Sequence, residues 1–101
     1  MIRVSVMYPN EPGRRFEWGH YMKHVAEATE GLVRLGLVRL EVDKGIGTAA
    51  PGAPPPFVAM THMYFNTPED EQRCRAHAAQ LMADIPNYTD IQYEVQVSEV
   101  L

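Results

Sequence analysis

The sequence has one cysteine, Cys74, so it can close no disulfide within the chain and carries no CxxC redox pair or multi-cysteine zinc site. It has only two serines, Ser5 and Ser98, neither in a GxSxG elbow, and no GxxxxGK[ST] phosphate loop. Gly45-Ile46-Gly47 lacks the third glycine and the following helix of a dinucleotide site. Positive charge is in deficit: nine Lys and Arg against 13 Asp and Glu leave a net charge of −4, and the basic residues are scattered. The field that gathers nucleic-acid phosphates is therefore missing, and no nucleic-acid partner is expected. No apolar run approaches 18 residues and no signal-type hydrophobic segment follows Met1, so neither a membrane partner nor export is expected, and the chain reads as cytoplasmic. What is present is ordinary for a globule: 101 residues, 46% hydrophobic and 22% charged, enough for a single domain over 1–101 with one core.

Residues 2–8 alternate, with Ile2, Val4, Val6 and Tyr8 against Arg3, Ser5 and Met7, which predicts a strand. Pro9 to Gly13 ends it. From 16 to 35 the period becomes helical: Trp18, Tyr21, Met22, Val25, Ala28, Thr29 and Leu32 form one stripe, closed by Gly36. Val38, Leu40 and Val42 predict a second strand, followed by a Gly/Pro-rich loop from Gly45 to Pro56, too long for a tight hairpin and of a kind that is often functional or interfacial. Phe57–Phe65 is apolar on both alternating sets except at Thr61 and His62, as in a central strand. Thr67-Pro68-Glu69-Asp70 is a helix start, and the stripe Cys74, Ala78, Leu81, Met82, Ile85 runs to Pro86. Ile91, Tyr93, Val95 and Val97 predict the last strand. The order βαββαβ predicts an α+β ferredoxin-like sandwich, a four-stranded antiparallel sheet with two helices on one face. The other face, carrying Arg3, Ser5, Met7, Arg39, Glu41, Gln92, Glu94 and Gln96, is either solvated or closed against a second sheet to enclose a polar lumen.

Few residues carry possible chemistry. His20 and His24 are four apart on the first helix, near Glu17 and Glu27, a set that could ligate zinc or iron; the arc lies away from the apolar stripe and reads first as a solvated face, so no metal is assigned. His62 interrupts an apolar strand, where its ring must be satisfied by a core partner or face a cavity as an acid/base. His77 stands at the edge of the second helical stripe. Asp84-Ile85-Pro86-Asn87-Tyr88-Thr89-Asp90 suits helix termination and a turn, with Tyr88 left over to cap the core or enter a pocket.

The segment Asp43-Lys44-Gly45, the run Ala50 to Ala59, His62-Met63-Tyr64-Phe65, His77 and Ala83-Asp84-Ile85-Pro86-Asn87-Tyr88-Thr89-Asp90-Ile91 resemble the EthD family, named for a protein of bacterial ethyl tert-butyl ether degradation. The likeness extends from the Val-x-Tyr-Pro-Asn opening at Val6 to the Gln96–Val100 ending. On the first helix the chain departs from the family: His20 stands in place of the first residue of a Tyr-Tyr pair, and no proline follows His24. The resemblance implies a homodimeric α/β barrel, two ferredoxin-like subunits packed sheet to sheet, with a small hydrophobic or aromatic ligand inside. It implies a cofactor-independent enzyme of proton-transfer, dehydration, isomerisation or oxygenation type, or else a non-catalytic binding protein of a degradation operon. In this reading His62 is the acid/base, Tyr88 and Asp84 complete the catalytic set, and Tyr21, His24, Tyr64 and His77 contact the ligand.

Overall fold

The computed structural model describes all 101 residues. Its elements are β1 (Ile2–Pro9), α1 (Trp18–Val33), β2 (Leu37–Lys44), β3 (Phe57–Phe65), α2 (Pro68–Arg75), α3 (Ala78–Met82), a 3-10 turn (Ile85–Asn87) and β4 (Glu94–Glu99). The strands form one antiparallel sheet in the order β2-β3-β1-β4. This is the ferredoxin-like α+β arrangement that the alternating and helical periods predict.

Register fixes which residues share a face. On one face Val6 lies opposite Thr61, which lies opposite Val42; on the other Ser5 lies opposite His62, which lies opposite Glu41. Because successive strand residues point to opposite sides, the whole set Arg3, Ser5, Met7, Glu41 and His62 sits on the face away from the helices. Beneath the helices two apolar clusters form. Tyr8, Tyr21, Val25, Ala59, Ile85, Tyr88 and Ile91 make one, and Leu32, Leu37, Phe65 and Cys74 the other. Burying each large side chain in them contributes roughly 1.5–3 kcal/mol.

Two boundaries differ from the periodicity. The second helix is broken: Ala76 N–H closes on the Gln72 carbonyl, but His77 N–H bonds the Cys74 carbonyl at 3.0 Å, a tightened last turn, and His77 itself has φ −96° and ψ 0°. The apolar stripe passes through this break without a gap, so periodicity alone does not reveal it. β4 starts at Glu94 rather than Ile91, because Ile91 is buried in the first cluster and the preceding stretch is tied elsewhere. Thr89 pairs with Phe16, its hydroxyl donates to the Arg15 carbonyl at 2.6 Å, and Glu17 N–H donates to the Tyr88 carbonyl at 2.7 Å. Those bonds hold the 84–90 stretch against the start of α1.

Other sequence signals act as expected. Thr67 caps α2, its hydroxyl accepting from Asp70 N–H, with Pro68 in the first helical position. Gly36 turns the chain into β2 at φ +117°, where a Cβ would also meet the Asp70 side chain at 2.9 Å. The Gly45–Pro56 loop is anchored by Asn10, whose backbone and side-chain N–H groups donate to the carbonyls of Pro56 and Pro55, both at 2.9 Å. No helix is long and apolar enough to cross a membrane.

Candidate functional site

A cavity of about 100 Å³ lies between α1, α3 and the helix-side face of the sheet. Its walls are apolar or aromatic, from Val6, Tyr8, Tyr21, Leu40 and Met63 among others, apart from two polar residues, His24 and Thr61. Helical spacing explains the pairing of Tyr21 with His24 and Val25: three and four residues apart, they share one face of α1.

His24 is held from behind. Its Nδ1 lies 2.9 Å from Asp84 Oδ2, and His20 Nε2 lies 3.1 Å from Oδ1 of the same carboxylate. Asn87 Nδ2 donates to Oδ1 at 2.8 Å. The Asn87 amide, then the His20 contact and that of His24, hold the Asp84 carboxyl down at about 2. An ionised carboxylate only accepts, so His24 carries its proton on Nδ1 when neutral and keeps its lone pair on Nε2, which has no protein partner. A base oriented in this way by a carboxylate is the arrangement that general acid/base chemistry needs.

Around the imidazole stand phenols. Tyr88 is fully buried, its ring centroid 5.3 Å from that of His24, and its hydroxyl lies 2.7 Å from the Tyr8 hydroxyl. The Tyr21 hydroxyl is hydrogen-bonded to Thr61 Oγ1. Burial pushes Tyr88 up to about 12 although the hydrogen bond from Tyr8 works the other way, and burial together with that same bond pushes Tyr8 higher still. Burial likewise raises Tyr21. These groups are hydroxyls at neutral pH. Each hydroxyl pair has two protons and uses one internally, so each retains one for a further acceptor.

The residues singled out in the sequence divide between two faces. Tyr21 and His24 line the cavity, while Asp84 and Tyr88 stand behind it against the His24 ring. His62 does not join them: it lies on the opposite face, where its Nδ1 meets Ser5 Oγ at 2.8 Å and its Nε2 meets Asp43 Oδ2 at 2.9 Å. The single chamber expected to hold His62 with Tyr88 is thus divided by the sheet. Tyr64 shares the His62 face, with the Arg39 guanidinium 3.9 Å above its ring. His77 is exposed at the start of α3, outside the cavity. The first-helix histidines are not a free polar arc: the carboxylate they meet is Asp84, while Glu17 pairs with Arg15. Sequence reasoning missed Tyr8 and Thr61 as cavity residues. Their phase was the available signal, since Tyr8 and Thr61 alternate with Met7 and His62 and so belong to the helix side.

No protein-family model and no curated protein matches the sequence. Among solved structures, an EthD-like protein from Ralstonia eutropha is 37% identical over 99% of this chain and 91% of its own, with a TM-score of 0.88. The chain belongs to the EthD-like family. A second EthD family protein, from Bacillus halodurans, is 17% identical, with a TM-score of 0.63 over 100% of this chain and 99% of its own. SnoaB, a cofactor-independent oxygenase from Streptomyces nogalater, shares the fold at 11% identity, with a TM-score of 0.60 over 98% of this chain and 90% of its own. Of the 84–91 stretch quoted for the resemblance, Ile85 lines the cavity, and Asp84 and Tyr88 meet the His24 ring.

Proposed function

We propose that this EthD-like protein, acting as one domain over 1–101, catalyses proton transfer on a small, largely apolar molecule bound beneath α1, with His24 as the acid/base. The observation that carries the reading is the Asp84–His24 pair at the wall of an otherwise apolar cavity. His24 Nε2 takes a proton from a carbon or hydroxyl of the ligand. The imidazolium so formed is paired with the Asp84 carboxylate and returns the proton at a neighbouring atom, the net course of an isomerisation, or to a departing hydroxyl, that of a dehydration. The spare O–H of the Tyr21–Thr61 or Tyr8–Tyr88 pair donates to the ligand oxygen as charge builds on it. His24 and Asp84 supply the step without a cofactor.

The protein works as a homodimer in this reading, closed through the sheet face that the helices leave bare. That face carries a satisfied Ser5–His62–Asp43 chain and a buried Arg3 Nε with no partner in its own chain. A second copy laid on this face meets its polar side chains, Glu41, Glu94 and Gln96 among them.

The test uses acetophenone in D₂O. Deuterium is expected to enter its methyl group in the presence of the protein, and His24→Gln to slow that exchange about 10²-fold or more. Equal exchange by the variant would remove His24 from the reaction. Saturable acetophenone binding without exchange would establish the binding-protein alternative instead.

A further inference from the structure

A second and larger hollow, of about 360 Å³, adjoins the first. Val6, Met63, Ala78, Leu81 and Met82 line both, so the two hollows meet along these side chains. The inner chamber is by itself smaller than the roughly 150 Å³ apolar cavity that accommodates benzene. A ligand of ring size that reaches His24 therefore extends past Leu81 and Met82. The outer walls are aliphatic almost throughout. Their polar exceptions, Glu71 and Arg75, are spent on one another in a two-bond pair, with Arg75 Nε donating to Glu71 Oε2 at 2.9 Å. Val95 and Val97 remain 48% and 49% exposed along the outer chamber, and Met82 40% exposed, an uncovered apolar strip. α3, which roofs both chambers, has no fully buried residue of its own.

We infer that the two chambers form one elongated site, and that its ligand carries an oxygen function at one end and an unbranched aliphatic tail at the other. The oxygenated end lies beside His24 and Thr61, among the phenols. The tail runs between Met63 and Met82 and along Val4, Val95 and Val97 toward Arg75. Chemistry distinguishes the halves: phenols and hydroxyls gather at the inner end, whereas the outer end offers Val, Leu, Met, Ala78 and Cys74 with a single ring, Phe65. Unbranched methionine side chains at the junction adapt to a passing chain. This inference rests on the reading of the inner chamber given above and names its substrate class.

The experiment measures Kd for a series of 4-n-alkylphenols, from phenol to 4-octylphenol, kept below their aggregation concentrations. Affinity is expected to rise about threefold to fourfold per methylene and to level off once the outer chamber is full. Val97→Arg puts a charge on the outer wall and is expected to flatten this rise while leaving phenol itself bound as before. Val95→Trp, which fills the outer chamber without touching the inner one, does the same by volume and serves if the first variant folds poorly. A Kd independent of chain length overturns the inference. So does a rise that survives both variants, or a Val97→Arg effect confined to self-association, which would make a second copy the occupant of the strip. A flat series with exchange intact sinks only the tail; a rising series with no His24-dependent exchange sinks only the proton-transfer reading.

Discussion

Thr61 and His62 are neighbours in β3 whose side chains work on opposite sides of the sheet. Thr61 Oγ1 bonds the Tyr21 hydroxyl beneath α1, and His62 bonds Ser5 and Asp43 on the bare face. His62→Ala is accordingly expected to leave acetophenone binding and exchange unchanged and to weaken self-association, seen by sedimentation at graded concentration. Loss of exchange with the dimer intact would return His62 to the reaction.

Asp84→Asn tests the orienting carboxylate. Exchange is expected to fall about 10²-fold with acetophenone affinity retained, because the amide no longer stabilises an imidazolium at His24. The same substitution has a stability signature. Asp84 has a depressed folded pKa, from 3.8 to about 2, so its contribution is present above the unfolded value and disappears as pH falls through the folded one. The melting-temperature gap between wild type and variant is expected to hold above about pH 4 and to close toward pH 2. A gap unchanged at low pH would refute this.

Tyr88→Phe removes one hydroxyl of a buried pair and leaves Tyr8 without its 2.7 Å partner. The expected loss is about 1–3 kcal/mol in denaturant unfolding, whereas Tyr8→Phe with Tyr88→Phe together are expected to lose less than the sum of the single changes. Strict additivity would show that the two hydroxyls do not interact.

The buried phenols give the opposite pH limb. Raised folded pKa values mean that their contribution is whole below the unfolded value near 10 and is lost as pH rises through the folded one, about 12 for Tyr88. In a spectrophotometric titration Tyr8, Tyr21 and Tyr88 are expected to ionise together with alkaline unfolding. Their ionisation in the folded state, at an ordinary pH, would show that solvent reaches them.

The architecture was legible because its signals are local: alternation in β1 and β3, the Tyr21–Val25–Leu32 stripe, and the Thr67-Pro68 helix start. The break at His77 was hidden by an apolar stripe that runs through it. The site was half legible. Tyr88, Asp84, Tyr21 and His24 are brought together, but the decisive contact joins positions 24 and 84, which lie 60 residues apart. No spacing rule links a helix histidine to a turn aspartate. For His62 the sequence left both a satisfied partner and a cavity open; the structure gives it Ser5 and Asp43 as partners on the bare face, and one step of strand phase sets it on the side opposite Tyr88.

The protein is a slab only 18 Å through its shortest dimension, and just 17 of its 101 residues are buried. With so small an interior, mass action weighs heavily. Whatever fills the hollow or covers the bare sheet raises the cost of unfolding in proportion to the logarithm of its concentration, so thermal resistance reports directly on occupancy.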